Sequence, residues 1–369
     1  MIDQGMLASW TSQAADWDRV QQLPDTVITD LAALGGLGAA VPAKHGGSDV
    51  GLRAFGELCA ELGRVCTSLR SLVTVQSMVA DALARWGTDD QRGQWLPALT
   101  TGTVIAGLAA TEVSAGSDLA GVQTSIEPVA GGFRLTGKKT WVTFGARANV
   151  FLVLGSMRGT HAALLVERDR AGVAVEPVVG QLGLRAAMLA DIVLDGVIVP
   201  SENLLGRQGF GLSAVVGHAL GLGRYSVAWG CLGMVEASLE RSIGHATTRH
   251  QFGAVLAEHQ LVRALISDMM VGARTVRLLC QEAGELLEQG AADSSTVTMM
   301  AKYHAARTAA DVTRDAVQIQ GASACASGSL AERFFRDAKI MQLIEGSDQM
   351  SQLTICDAGF RRRARRSAP

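Results

Sequence analysis

The spacing of apolar residues changes twice along this chain, and few folds accommodate both changes. Up to about residue 107 the repeat is helical, with Phe55, Leu58, Leu62 and Val65 three or four apart. Pro24-Asp25 opens one helix and Ser48-Asp49 another. Thr88-Asp89-Asp90 supplies a cap followed by acidic first-turn residues that suit the helix dipole. From about 108 to 210 short β-type runs replace the helical repeat: Phe133 and Leu135, Val150 to Leu154, Ala163 to Val166, Val173 to Val175, and Ile192 to Leu194. Gly, Asp and Pro separate them, which predicts an antiparallel sandwich or barrel. From about 211 the helical repeat returns, with Leu261, Leu265 and Met269 beside Val262, Ile266 and Met270, as in a four-helix bundle. The expected fold is therefore α+β and mostly α. Its expected parts are an N-terminal helical domain (1–107), a middle β domain (108–210) and a C-terminal bundle with a basic end (211–369).

A chain of 369 residues is too long for one core, and its 48% hydrophobic content can fill several. The charged fraction of 18% is low for a surface that is all solvated, so a homo-oligomer is expected. A net charge of -2 gives no field that would draw the protein to nucleic acid or membrane. Six cysteines are scattered through apolar helical runs with no C-x-x-C pair, which reads as buried, reduced thiols. The start, Met1-Ile2-Asp3-Gln4, has the features of no secretion signal, and no apolar run is long enough to span a membrane. A cytoplasmic protein is the expectation.

Common catalytic signatures are missing. Gly36-Leu37-Gly38 follows a helix rather than a strand, so a Rossmann site is not expected. His245 and His250 do not share a helix face, and no metal site is predicted. No G-x-S-x-G elbow occurs.

Four other segments can carry chemistry. The loop Thr111-Glu112-Val113-Ser114-Ala115-Gly116-Ser117-Asp118 is rich in small and hydroxyl residues, leaving backbone N–H groups free for an anion or polar ring edge; it reads equally well as a strand-entry loop. Gly137 to Gly145 contains Trp141, which can wall off a planar ring or sit in the core, and Thr143, which can bond a ring edge. Arg249-His250-Gln251-Phe252-Gly253 ends a helix and Glu258-His259-Gln260 opens the next; an Arg there suits a diphosphate or is simply exposed. Arg336 to Ser347 places Glu345 among apolar residues, as a desolvated base or as a helix-end acid paired with an Arg.

Taken in order, these segments resemble the acyl-CoA dehydrogenase family across nearly the whole chain. That family's "TEPGAGSD" loop is matched by Thr111 to Asp118, its "G-x-K-x-W-I-T-N-G" strand by Gly137 to Gly145, its "R-x-x-F-G" turn by Arg249 to Gly253, and its "R-D-A-K-I…Y-E-G-T" segment by Arg336 to Ser347. The resemblance implies FAD, held by Leu108, Thr111, Gly116, Ser117, Trp141 and Thr143 on one subunit. It implies that Arg249, Phe252, Gln260, Gln318 and Gly321 reach the FAD of a neighbour, with Ser347 and Gln349 completing that site. Glu345 matches the family's base, which removes the α-proton of a thioester while the flavin accepts a hydride; Leu220 to Arg224, where some members place the base, offers no acid. Arg70 and Arg224 are assigned to substrate, and the Ser68 to Gln76 stretch is similar to the glutaryl-CoA dehydrogenase branch, where the matching Arg faces a distal carboxylate.

Some positions depart from the family pattern. Gln318-Ile319-Gln320-Gly321-Ala322-Ser323-Ala324-Cys325 lacks two glycines and an aromatic of "Q-x-x-G-G-x-G-Y", and Ile344 and Leu108 stand where aromatics are usual. These departures argue against an ordinary fatty acyl substrate. The chain also resembles the family members of methoxymalonyl extender-unit pathways of the ascomycin type. That similarity implies oxidation of a three-carbon, glyceryl-type group on an acyl carrier protein toward hydroxymalonyl. The alternatives are a conventional acyl-CoA α,β-dehydrogenase, a flavin-dependent oxidase or oxygenase on the same fold, and a non-enzymatic carrier-binding protein. The implied partners are an acyl carrier protein or acyl-CoA, an electron acceptor (a flavoprotein or oxygen), and a second copy in a homodimer or homotetramer. The basic run Phe360 to Arg366 reads as a solvated tail or as a docking patch for an acidic carrier.

Overall fold

The computed structural model describes residues 2–366, with side chains described through Arg361. Five helices come first: α1 (Gln4–Val20), α2 (Asp25–Ala33), α3 (Gly51–Val65), α4 (Thr67–Trp86) and α5 (Asp89–Thr100). Asp3 caps α1 by accepting from the N–H groups of Gly5 and Met6. Thr88 and Gln91 form a reciprocal capping box at α5. Helix α3 starts later than the Ser48-Asp49 signal predicts, after Val50 and with no side-chain cap. The Ser48 hydroxyl is used elsewhere, donating to the Gly35 carbonyl at 3.3 Å.

The middle sheet comprises β1 (Ala106–Ala109), β2 (Ser125–Val129), β3 (Gly132–Val142), β4 (Val150–Met157), β5 (Thr160–Glu167), β6 (Val173–Pro177), β7 (Ala190–Pro200) and β8 (Leu204–Leu205). Its order is β6-β7-β3-β2-β4-β5-β8, with β1 also on β4. The expected antiparallel sheet is interrupted along one edge of β4. There β1 pairs parallel with Val150 to Val153, and β2 joins, also parallel, at Ser156. The chain leaves the ladder between these two pairings, and that excursion carries the Thr111 to Asp118 loop. Gln76, fully buried on α4, fixes where β1 starts: its Nε2 donates to the Leu99 and Val104 carbonyls at 2.8 Å, and its Oε1 accepts from the Ala106 N–H at 2.9 Å.

After a π-helical turn at Gly211–Val216 come α6 (Gly217–Thr248), the hairpin β9 (His250–Gln251) and β10 (Ala254–Val255), α7 (Gln260–Glu288), α8 (Ser294–Gln320), α9 (Leu330–Met341) and α10 (Asp348–Arg366). The backbone of the basic run continues α10, while the side chains of Arg362, Arg363, Arg365 and Arg366 lie outside the described residues. Of the rows predicted on α7, Met269 is buried, but Leu261 is 83% exposed and Met270 is also exposed. Cys59, Cys66, Cys231 and Cys280 are buried as expected; Cys325 and Cys356 are exposed, one in the turn after α8 and one on the outer face of α10. Burial pushes the Cys59 thiol up to about 11 and that of Cys231 to about 12, so neither is a nucleophile near neutral pH. No helix among the described residues is long and apolar enough to cross a membrane.

Helices α3 and α6 pack backbone to backbone. A Cβ on Gly233 would lie 2.0 Å from the Ala60 carbonyl oxygen, and one on Gly63 would lie 2.4 Å from that of Gly230. We expect Gly233→Ala to force the two helices apart and destabilise the fold by about 1–3 kcal/mol, more than its improved helix propensity returns. A lower denaturant midpoint at unchanged m-value checks this.

Candidate active site

The turn between α9 and α10 places Glu345. Both Glu345 and Gly346 have left-handed backbones, with φ of 56° and 98°. A non-glycine residue there costs on the order of 1 kcal/mol or more, so the surroundings must hold it. Two cations from two other helices do so. Arg224 on α6 donates from Nε to the Glu345 carbonyl at 2.9 Å, and Lys302 on α8 donates from Nζ to the Gly346 carbonyl at 2.6 Å. The Glu345 side chain runs against Gly223 of α6, where a Cβ would come within 2.8 Å of Oε2. The residue as a whole is part-exposed, yet Oε2 itself is covered and bonded to nothing among the described residues. Burial raises this carboxyl above its ordinary value, while Arg224, then Lys302, then Arg70 pull it back. Arg224 therefore holds the backbone of the acid rather than pairing with its carboxylate.

Arg70 on α4 is fully buried. Its Nη1 donates to Thr74 Oγ1 at 2.9 Å and its Nη2 to Met341 Sδ at 3.3 Å, while Nε has no partner among the described residues. The guanidinium lies against Gly230 of α6, where a Cβ would come within 2.8 Å of Nε. Thr74 Oγ1 also meets Ser226 Oγ at 2.6 Å, and Ser226 meets Cys59 Sγ at 3.2 Å, so hydroxyls of two helices orient this arginine. Burial lowers its pKa, opposed in turn by Cys231, Cys59, Glu345 and Asp337. No carboxylate pairs with it directly among the described residues. A buried guanidinium left this way costs several kcal/mol.

The Thr111 to Asp118 loop is stapled to β3 by a buried ion pair that the sequence reading overlooked. Lys139 Nζ lies 2.6 Å from Glu112 Oε1 and also donates to the Ala110 carbonyl at 3.1 Å. Burial alone would raise the Glu112 carboxyl. Lys139, the Thr124 hydroxyl and the N–H groups of Gln123 and Thr124 instead hold it at about 2, against an ordinary 4.5. The Thr140 N–H then donates to the Thr111 carbonyl at 2.9 Å, laying the loop beside the end of β3. On the resulting shelf the Thr111, Ser117 and Thr143 side chains are not buried, Gly116 has open space where a side chain would be, and Leu108 is half-buried. Trp141, at φ 59°, is 57% exposed despite its size. The hydroxyl of Thr140 is buried with no partner among the described residues.

This shelf is tied to the acid. Phe144 N–H donates to the Ala187 carbonyl at 2.9 Å, and Leu184 N–H donates to Asp337 Oδ1 at 2.7 Å on the helix leading to Glu345. The Arg336-Asp337 pair is thus structural, with Arg336 bound to Asp18 and Glu332.

The remaining predicted residues lie on the outside of the bundle. Arg249 caps the end of α6, Phe252 sits at φ 51° and 97% exposed in the β9–β10 hairpin, and Gln260 begins α7. Gln318, Gly321 and Gln349 are exposed, and the Ser347 hydroxyl accepts from the Met350 N–H at 3.3 Å at the start of α10. No hydrogen bond among the described residues connects Arg249, Phe252, Gln260, Gln318 or Gly321 to the Thr111–Thr143 shelf.

Sequence models of the acyl-CoA dehydrogenase N-terminal, middle and C-terminal domains match residues 6–103, 107–197 and 209–359. The short-chain specific acyl-CoA dehydrogenase of Rattus norvegicus mitochondria is 29% identical over 360 residues, covering 96% of this chain and 86% of that one. Among solved structures, FkbI, for biosynthesis of the methoxymalonyl extender unit of the Fk520 polyketide, is 36% identical with a TM-score of 0.90, covering 96% of this chain and 98% of that one. A glutaryl-CoA dehydrogenase from Mycobacterium smegmatis in complex with FADH2 is 25% identical with a TM-score of 0.89, covering 97% and 95%. The chain belongs to the acyl-CoA dehydrogenase family. It is an oxidoreductase of that family, whose cofactor is FAD. The residues present suit that group: unpartnered hydroxyls, an open glycine and an exposed indole face offer polar contacts for a ring edge and an apolar wall for its plane.

Sequence reasoning missed Lys302, Gly223, Gly230 and the Glu112–Lys139 pair. Lys302 had a faint signal, a lone cation on a face of α8 otherwise made of Thr298, Met299, Ala301, Ala305 and Ala306.

The depressed Glu112 pKa stabilises the fold at neutral pH. Its contribution is present above the unfolded value and is lost as pH falls from about 4.5 through about 2. We expect Glu112→Gln, which leaves Lys139 buried and unpaired, to cost about 3–5 kcal/mol at pH 7 and to weaken FAD retention. The gap from wild type should narrow as pH falls through that window, as read by denaturant unfolding.

Proposed function

We propose that the chain is an acyl-thioester dehydrogenase whose acyl pocket takes a short, oxygenated group, specifically a three-carbon glyceryl-type unit on an acyl carrier protein that is oxidised toward hydroxymalonyl. Arg70 carries this reading: a fully buried guanidinium with an unpartnered Nε and no carboxylate partner among the described residues fits an oxygen-bearing acyl end far better than a hydrocarbon one. The 36% identity to FkbI, for biosynthesis of a methoxymalonyl extender unit, points the same way.

In this reading Glu345 is the base. Its Oε2 is covered and unpartnered among the described residues, and burial raises the carboxyl above its ordinary value, the direction that makes a better base. Bound FAD supplies the two-electron acceptor for the hydride that leaves the substrate. Glu345 takes one proton per turnover, from carbon or from a hydroxyl. Arg70 orients the distal oxygen.

The second part of the reading is that two copies complete each site. Phe252 at 97% exposure, with Arg249, Gln260, Gln318 and Gly321, is suited to a neighbour's FAD. Leu261 and Val271 on α7 and Leu353 on α10 supply apolar surface for a homodimer or homotetramer. Electrons then pass to a flavoprotein or to oxygen.

The plainer reading, a conventional acyl-CoA α,β-dehydrogenase, draws on the 29% identity to the short-chain enzyme. Anaerobic bleaching of the oxidised flavin separates the two. A glyceryl-type acyl carrier protein should bleach it and butyryl-CoA should not; bleaching by butyryl-CoA alone establishes the plainer reading. Arg70→Lys, which loses the planar fork, should slow the oxygenated substrate by about tenfold or more relative to a hydrocarbon one. Equal effects on both remove Arg70 from acyl recognition.

A further inference from the structure

We infer that Lys302 is a positioning residue that works with Arg224 as a two-point clamp, fixing the direction and the basicity of the Glu345 carboxyl from across the bundle. The inference rests on the reading of Glu345 as the base only for its kinetic consequence; the clamp itself stands on geometry.

Successive carbonyls of one turn, those of Glu345 and Gly346, accept from Arg224 at 2.9 Å and Lys302 at 2.6 Å. The donors come from α6 and α8, so the turn is held from two directions. Neither donor is in an ion pair among the described residues, although Arg224 is half-buried and Lys302 fully buried, where an unpaired cation is unusual. Lys302 is 0% exposed, and Gly346 is the only acceptor it reaches among the described residues. An ammonium has three donors, so its burial for one backbone bond is costly. A polar but uncharged side chain would hold the turn at less cost. What the charge adds is electrostatic.

The charged and titratable groups around Glu345 are Arg224 on α6, Lys302 on α8 and Arg70 on α4, all positive. Those around Lys302 are Cys231, Asp348, Glu345 and Arg224. Burial against Gly223 and Met78 drives the Glu345 carboxyl toward its neutral form, in which it is no base. The two clamp cations oppose that without touching the carboxylate oxygens, so Oε2 stays free for a proton. Holding the backbone also resists the relaxation of Glu345 out of its left-handed conformation, which would turn Oε2 away from the substrate.

The test uses the FAD-bound protein. Infrared difference titration follows the carboxyl band that disappears in Glu345→Gln. In Lys302→Met the band should titrate about one unit higher in pH than in wild type, because a favourable charge is gone. With the thioester that bleaches wild-type flavin, Lys302→Met should reduce it about ten- to a hundredfold more slowly at pH 7 at nearly unchanged KM. Its rate should recover toward higher pH. Lys302→Arg, which keeps charge and donor, should restore the profile to within about threefold of wild type. A Glu345 titration in Lys302→Met that matches wild type overturns the clamp. Should Lys302→Met not fold, Lys302→Gln decides, since it keeps a donor for Gly346 and removes only the charge; an unshifted titration there overturns the inference equally. Normal flavin reduction by Glu345→Gln would instead sink the assignment of Glu345 as base, whatever the titrations show.

Discussion

Helix α6 is the constraint on which the rest of the molecule depends, because it gives up side chains where other elements must come close. Gly233 lets the Ala60 backbone of α3 approach, Gly230 leaves room for the Arg70 guanidinium, and Gly223 leaves room for the Glu345 carboxyl. Each glycine weakens the isolated helix by about 1 kcal/mol relative to alanine. The loss is offset by close packing of α3 and by space for two charged groups between helices. Without that space neither Arg70 nor Glu345 fits inside the bundle in its present orientation.

Buried charge is handled in two different ways. At the Thr111–Thr143 shelf the Glu112–Lys139 pair is complete: each ion has its counter-ion, and Glu112 accepts from Thr124 and Gln123 as well. Such a satisfied network stiffens the loop it ties down. In the bundle, Arg70, Lys302 and Glu345 are each left without a charged partner at bonding distance among the described residues. Groups kept in that state lower stability, and their clustering at one place is the pattern expected of a functional site.

The shelf and Glu345 are joined by a chain of contacts rather than standing as separate parts. Phe144 bonds the Ala187 carbonyl, Leu184 bonds Asp337, and Asp337 lies on the helix that delivers Glu345. A Cβ on Gly183 would meet the Arg336 carbonyl at 2.8 Å, so the loop and α9 are in direct contact. The motif around Arg336 and Asp337 therefore acts by spacing: it sets how far the acid stands from the strand that carries Trp141.

Period and punctuation in the sequence were enough to determine the order of helices, sheet and helices, and the ordered motifs were enough to indicate the acyl-CoA dehydrogenase family. These features were legible because they are local: a capping box at Thr88 and Gln91, alternation in β3, and an acid four residues beyond α9 all lie within a few residues of one another. The late start of α3 escaped because Ser48 bonds Gly35 rather than its own helix. The parallel edge of β4, the Glu112–Lys139 staple and the clamp on Glu345 were decided only by tertiary structure. Each joins residues tens to more than a hundred positions apart, so no pattern in a short window encodes it. Whether Arg70 faces solvent, a counter-ion or an unfilled need likewise depends on where α6 lacks side chains, and that is known only once the helices are packed.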